Sequence, residues 1–124
     1  MYRLGVIEES LDDQAIVSSL APYAISRMVQ EVPGDQVPLW HSNVYRIPDG
    51  EAERLIPLLV EHILPSWYIH LFRDDADDGS MTVILQGKSF VISRTKGGSW
   101  QNMLEYADSV GVGRRYTENI PLDI

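Results

Sequence analysis

Three histidines, six tyrosines and no cysteine define the side-chain chemistry open to this 124-residue chain. Without cysteine there is no thiolate nucleophile, no disulfide framework and no cysteine-ligated zinc site. The imidazoles of His41, His62 and His70 are then the side chains that ordinarily titrate near neutral pH. Strand alternation places Leu39, His41, Asn43 and Tyr45 on one side of an extended segment, and Tyr68, His70 and Phe72 on one side of another. If those two sides form one surface, His41, Asn43, Tyr45, Tyr68 and His70 line a small-molecule pocket or an acid–base site. An imidazole would then serve as general base, with the amide and phenol orienting a substrate. The competing reading makes the histidines half-buried structural groups, each with one satisfied nitrogen, and has the tyrosines cover a subunit interface. His62 falls in a helical segment, and two histidines with no carboxylate at a known spacing do not make a metal site, so no metal is expected.

Two further clusters could hold ions. Asp74-Asp75-Ala76-Asp77-Asp78-Gly79 concentrates hard oxygen donors. Aligning Gly79 with the glycine of a calcium loop leaves Ala76 at a ligand position and Leu85 where a bidentate glutamate belongs, so the segment reads as a solvated turn. Arg94, Lys96, Gly97, Gly98 and Ser99 precede a helix and offer cations and unpaired backbone donors to an anion. They lack the spacing of a phosphate loop, and a flexible connection ending in a serine cap explains them equally well. No nucleophile elbow, dinucleotide fingerprint or paired-histidine zinc helix occurs in the sequence, and no cofactor is expected.

Eighteen acidic against ten basic side chains give a formal charge of −8, a field that repels polyphosphate and anionic lipid and argues against nucleic acid as a partner. The longest apolar stretch, Leu55 to Leu64, is interrupted by Pro57, Glu61 and His62 and does not read as a membrane span. At the start, Glu8 and Glu9 cut off the apolar run before a secretory core forms, so the cytoplasm is the expected location.

The candidate residues must be positioned by local elements. Tyr2 to Ile7 is rich in β-formers and gives way at Ser10-Leu11-Asp12-Asp13 to a helix that Pro22 stops near Leu20. Residues 23–32 carry apolar side chains at helical spacing, yet Pro33-Gly34-Asp35 is a strong turn signal, and a hairpin with Leu39 to Ile47 is the chosen reading. Ala52 to Leu64 is the clearest helix, with Pro57 accommodated by a kink or by a true start near Ile56. Trp67 to Arg73 is a strand, a hairpin turns at Gln86-Gly87-Lys88, and Ser99 caps a last helix to about Val110. The remainder reads as a tail.

The order is strand, helix, strand, strand, helix, strand, then hairpin and helix. This makes 1–124 a single α+β domain with a ferredoxin-like βαββαβ core and an added C-terminal β-hairpin and helix. Such a core covers one sheet face with helices and leaves an apolar face for the added elements or for a second copy. A homodimer is therefore expected.

Overall fold

The computed structural model describes the chain except for residues 76–78, 96 and 123. β1 (Tyr2–Ile7) runs into a 3₁₀ turn at Glu8–Ser10, and α1 (Gln14–Leu20) starts where the Asp13 carboxylate accepts the Ala15 N–H at 3.0 Å. That bond satisfies one of the backbone donors a helix start leaves free. Pro22 falls in a 3₁₀ turn, Ala21–Tyr23, that ends the helical path, and the chain then extends as β2 (Ala24–Glu31) and returns as β3 (Leu39–Ile47). The turn residue Gly34 sits at φ 87°, where a side chain would be strained, and so the turn signal prevails over the helical spacing of residues 23–32.

α2 (Asp49–His62) follows. A start near Ile56 is incorrect: the helix begins seven residues earlier and carries Pro57 inside it. Ala52, Leu55 and Leu59 bury one stripe on both sides of that proline, and their burial offsets the backbone bond it removes. β4 (Ile69–Arg73), β5 (Ser80–Leu85) and β6 (Lys88–Ser93) form a meander, the last two joined through Gly87 at φ 84°. The chain ends with α3 (Trp100–Ser109) and α4 (Arg114–Thr117). The expected C-terminal tail is thus partly structured, with Val112, Thr117 and Ile120 buried.

The six strands form one antiparallel sheet in the order β2-β3-β1-β4-β5-β6, and the four α-helices among the described residues flank it. No helix in the described residues is long and apolar enough to cross a membrane. Leu4 lies opposite Tyr45 on one side and Leu71 on the other, which fixes the faces of the central strands. On that face Leu4, Val6, Tyr45, Ile47, Ile69 and Leu71 pack with Ile16 and Leu20 of α1 and Ala52, Leu55 and Leu59 of α2. On the opposite face Phe72, Met81, Val83, Leu85 and Ile92 pack with Trp100, Met103 and Ala107 of α3 and with Ile120 beyond α4. β2 stands apart from both clusters, with all eight of its residues exposed.

Candidate functional site

The 3₁₀ turn after β1 brings two carboxylates beneath the β2–β3 hairpin. Glu9 Oε1 accepts the backbone N–H of His41 at 2.7 Å, and its Oε2 lies 2.7 Å from His41 Nδ1. Beside it, Glu8 Oε2 accepts from Asn43 Nδ2 at 2.7 Å and from Arg27 Nε at 3.2 Å. Asn43 also donates to the Tyr45 hydroxyl at 3.0 Å. The group exists because residues 41, 43 and 45 alternate onto one face of β3, where Val6 opposite Asn43 leads the chain directly into Glu8 and Glu9.

Burial pushes the Glu9 carboxyl up, but the hydrogen bonds from the His41 backbone and ring outweigh it and hold the group below its ordinary value. Burial raises the Tyr45 phenol above 10.0 despite the opposing Asn43 contact. A carboxylate bonded to Nδ1 fixes the ring of His41, whose side chain is 28% exposed. In the neutral tautomer that donates Nδ1–H to Glu9, Nε2 keeps its lone pair as a proton acceptor.

Tyr68 and His70 do not join this group. The expected convergence of His41, Asn43, Tyr45, Tyr68 and His70 on one surface is corrected by the strand register: Gly5, not Leu4, lies opposite His70, so His70 points to the other face of the sheet. There Tyr68 and His70 have ring centroids 5.9 Å apart at the edge of the second cluster, Tyr68 just before β4. His70 is 6% exposed and its Nε2 has no hydrogen-bond partner among the described residues. Burial lowers it to about 4 and raises the Tyr68 phenol to about 12. A Cβ on Gly5 would come within 2.9 Å of His70 Cε1 and 3.3 Å of Ile124 Cδ1, so the absence of a side chain at residue 5 makes room for the imidazole.

Of the anion-site residues, Lys96 lies outside the described residues. The Arg94 guanidinium stacks 4.1 Å over the Phe72 ring and donates to the Leu122 carbonyl at 2.7 Å. Ser99 precedes α3 but makes no cap bond; its hydroxyl accepts the Ser93 N–H at 3.0 Å and ties the loop to β6. The carbonyls of Gly97 and Gly98 accept the N–H groups of Trp100 and Gln101, and a Cβ on either glycine would meet nothing within 4 Å. Arg94, Gly97, Gly98 and Ser99 are thus bonded to their own neighbours.

A cavity of about 500 Å³ opens elsewhere, between the tip of the β2–β3 hairpin and α4, lined by Val32, Pro33, Gly34, Asp35, Arg115 and Tyr116. It adjoins an aromatic group in which the Trp40 ring lies 5.1 Å from that of Trp67 and 6.2 Å from that of Tyr116. Sequence reasoning missed this place because it left residues 111–124 without structure; Arg115-Tyr116 beyond Gly113 was the available signal. Among the described residues no three or more His, Asp or Glu side chains cluster as a metal ion would require. No family model, curated protein or solved structure matches the chain.

Proposed function

We propose that this chain is a small, single-domain, cytoplasmic, self-associating module that works as a homodimer joined along β2. The carrying observation is the exposure of β2: Ile25, Met28 and Val29 are 49%, 56% and 55% exposed, and neighbouring Leu39 is also open. An edge strand of eight residues with apolar side chains on both faces is a template for pairing with another chain, and monomeric proteins usually blunt such edges with proline, lysine or a covering element. In this reading the core is ferredoxin-like, supported by the β1-α1-β2-β3-α2-β4 order and the β2-β3-β1-β4 strand sequence. α3 covers the β4–β6 half of the second face and α4 reaches Trp40 of β3, leaving the β2 edge as the self-associating surface. The cysteine-free sequence supports the cytoplasmic assignment. Light scattering over a dilution series from millimolar to micromolar tests it: the expected mass is twice that of the chain at high concentration. A particle of monomer mass throughout would refute self-association.

The Glu9–His41 contact favours a second reading, a small enzyme in which His41 acts as general base with Asn43 and Tyr45 orienting a small-molecule substrate. His70 has no part in it, since its ring lies on the other face. Turnover of a panel of small esters and amides that falls at least tenfold in both His41→Ala and Glu9→Gln would support this reading; equal rates in wild type and both variants would remove it.

A further inference from the structure

Resting on the homodimer reading above, we infer that the partner on β2 is β2 of a second copy, paired antiparallel in the register that sets Val29 opposite its own counterpart. The pairing of Arg27, Val29 and Glu31 with Asn43, His41 and Leu39 puts these three side chains on the Leu4 face; Ser26, Met28 and Gln30 occupy the other. Directly opposed residues in an antiparallel pair have side chains on the same face, so the twofold axis must pass beside a residue and not between two.

Few registers remain, and charge separates them. Centred on Arg27, two guanidiniums of like charge meet, which is unfavourable. Centred on Met28, Arg27 faces Val29 of the second copy, Ile25 faces Glu31, and no opposite charges meet. Centred on Val29, Arg27 faces Glu31 of the second copy, symmetry repeats the pair, Val29 meets Val29, and Met28 faces Gln30. Arg27 is suited to this role, for its side chain is 60% exposed and its contact with Glu8 is made through Nε. The register also places Pro33, which has no N–H to donate, opposite Ile25 at the irregularity between Ala24 and Ser26, where regular pairing ends in any case. β6, the other edge, carries Lys88 and no acidic residue, so no register of β6 with itself forms an opposite-charge pair.

The natural absence of cysteine makes the register directly testable. Opposed Cα atoms in an antiparallel pair stand about 4.5–5.5 Å apart, within the span a disulfide bridges. Val29→Cys is expected to form a cross-linked dimer on mild oxidation of the full chain. Met28→Cys, at an equally exposed site, should cross-link at least tenfold more slowly, because its counterpart lies diagonally across the pair, roughly 8 Å away. Glu31→Arg, which sets like charges opposite Arg27 twice, should weaken the dimer by roughly tenfold. Faster cross-linking through Met28→Cys, or a dimer unaffected by Glu31→Arg, would overturn the register while leaving the homodimer in place. A wild-type chain that scatters as a monomer would overturn both.

Discussion

His70 ties the stability of this protein to mildly acidic pH. Its folded value is about 4 against an ordinary 6.5, because burial disfavours the imidazolium. The folded state therefore binds fewer protons than the unfolded chain. Its contribution is fully present above 6.5 and is lost as pH falls toward 4. Across that interval the loss totals about 3 kcal/mol, at 1.36 kcal/mol for each pKa unit, and about 2 kcal/mol of it is gone by pH 5. In a chain of this size that corresponds to a fall of roughly 5–10 °C in Tm between pH 7.5 and 5. His62 has the opposite sign, since its contact with Asp12 raises it, and its contribution is present below 6.5 and lost as pH rises through its folded value. Glu9 and Asp74, both held below their ordinary values, lose their contributions at pH values lower than the window in question. The assay is thermal and urea unfolding at pH 7.5, 6 and 5 for wild type and His70→Leu, which deletes the unpartnered Nε2 together with the titration. The variant's stability should not fall across this range and should hold or rise slightly toward pH 5 as His62 gains its proton. Parallel losses in the two proteins would refute the assignment of the acid limb to His70.

Gly5→Ala forces a Cβ to within 2.9 Å of His70 Cε1 in a packed region, and should cost about 1–3 kcal/mol, read as a lower urea midpoint. Thr117→Val replaces a fully buried hydroxyl that has no hydrogen-bond partner among the described residues by a methyl of the same shape; it should raise the unfolding free energy by about 1 kcal/mol, seen as a higher Tm.

The elements were more legible in the sequence than their mutual placement. Pro22, Pro33-Gly34-Asp35 and Gly87 punctuate the chain with local chemistry that short-range rules read, and the end of α1, the β2–β3 hairpin and the β5–β6 turn lie where those rules put them, whereas α1 starts at Gln14 with Asp13 as its cap and Ser10 belongs to the preceding 3₁₀ turn. Pro57 misled because its cost is local whereas the compensating burial of Ala52 and Leu55 against the sheet is tertiary. Alternation correctly grouped residues 41, 43 and 45, and residues 68, 70 and 72. It carries no information on how two strands align across a third, and the pairing of Leu4 with Tyr45 and Leu71 sends the groups to opposite faces. Glu8 and Glu9 read only as the end of a strand, although they anchor Asn43 and His41. That partnership spans more than thirty residues and leaves no local pattern.

β4 has a thermodynamic consequence that its length conceals. Its first four residues are buried, with Ile69 and Leu71 given to the cluster under α1 and α2 and His70 and Phe72 turned toward α3 and α4. The strand is common property, and it divides the apolar interior without making the halves independent. To melt either side first, the protein would expose one face of a strand whose other face the surviving side still holds in register. Neither cluster then has a stable existence without the other, and strain introduced at one is borne by both.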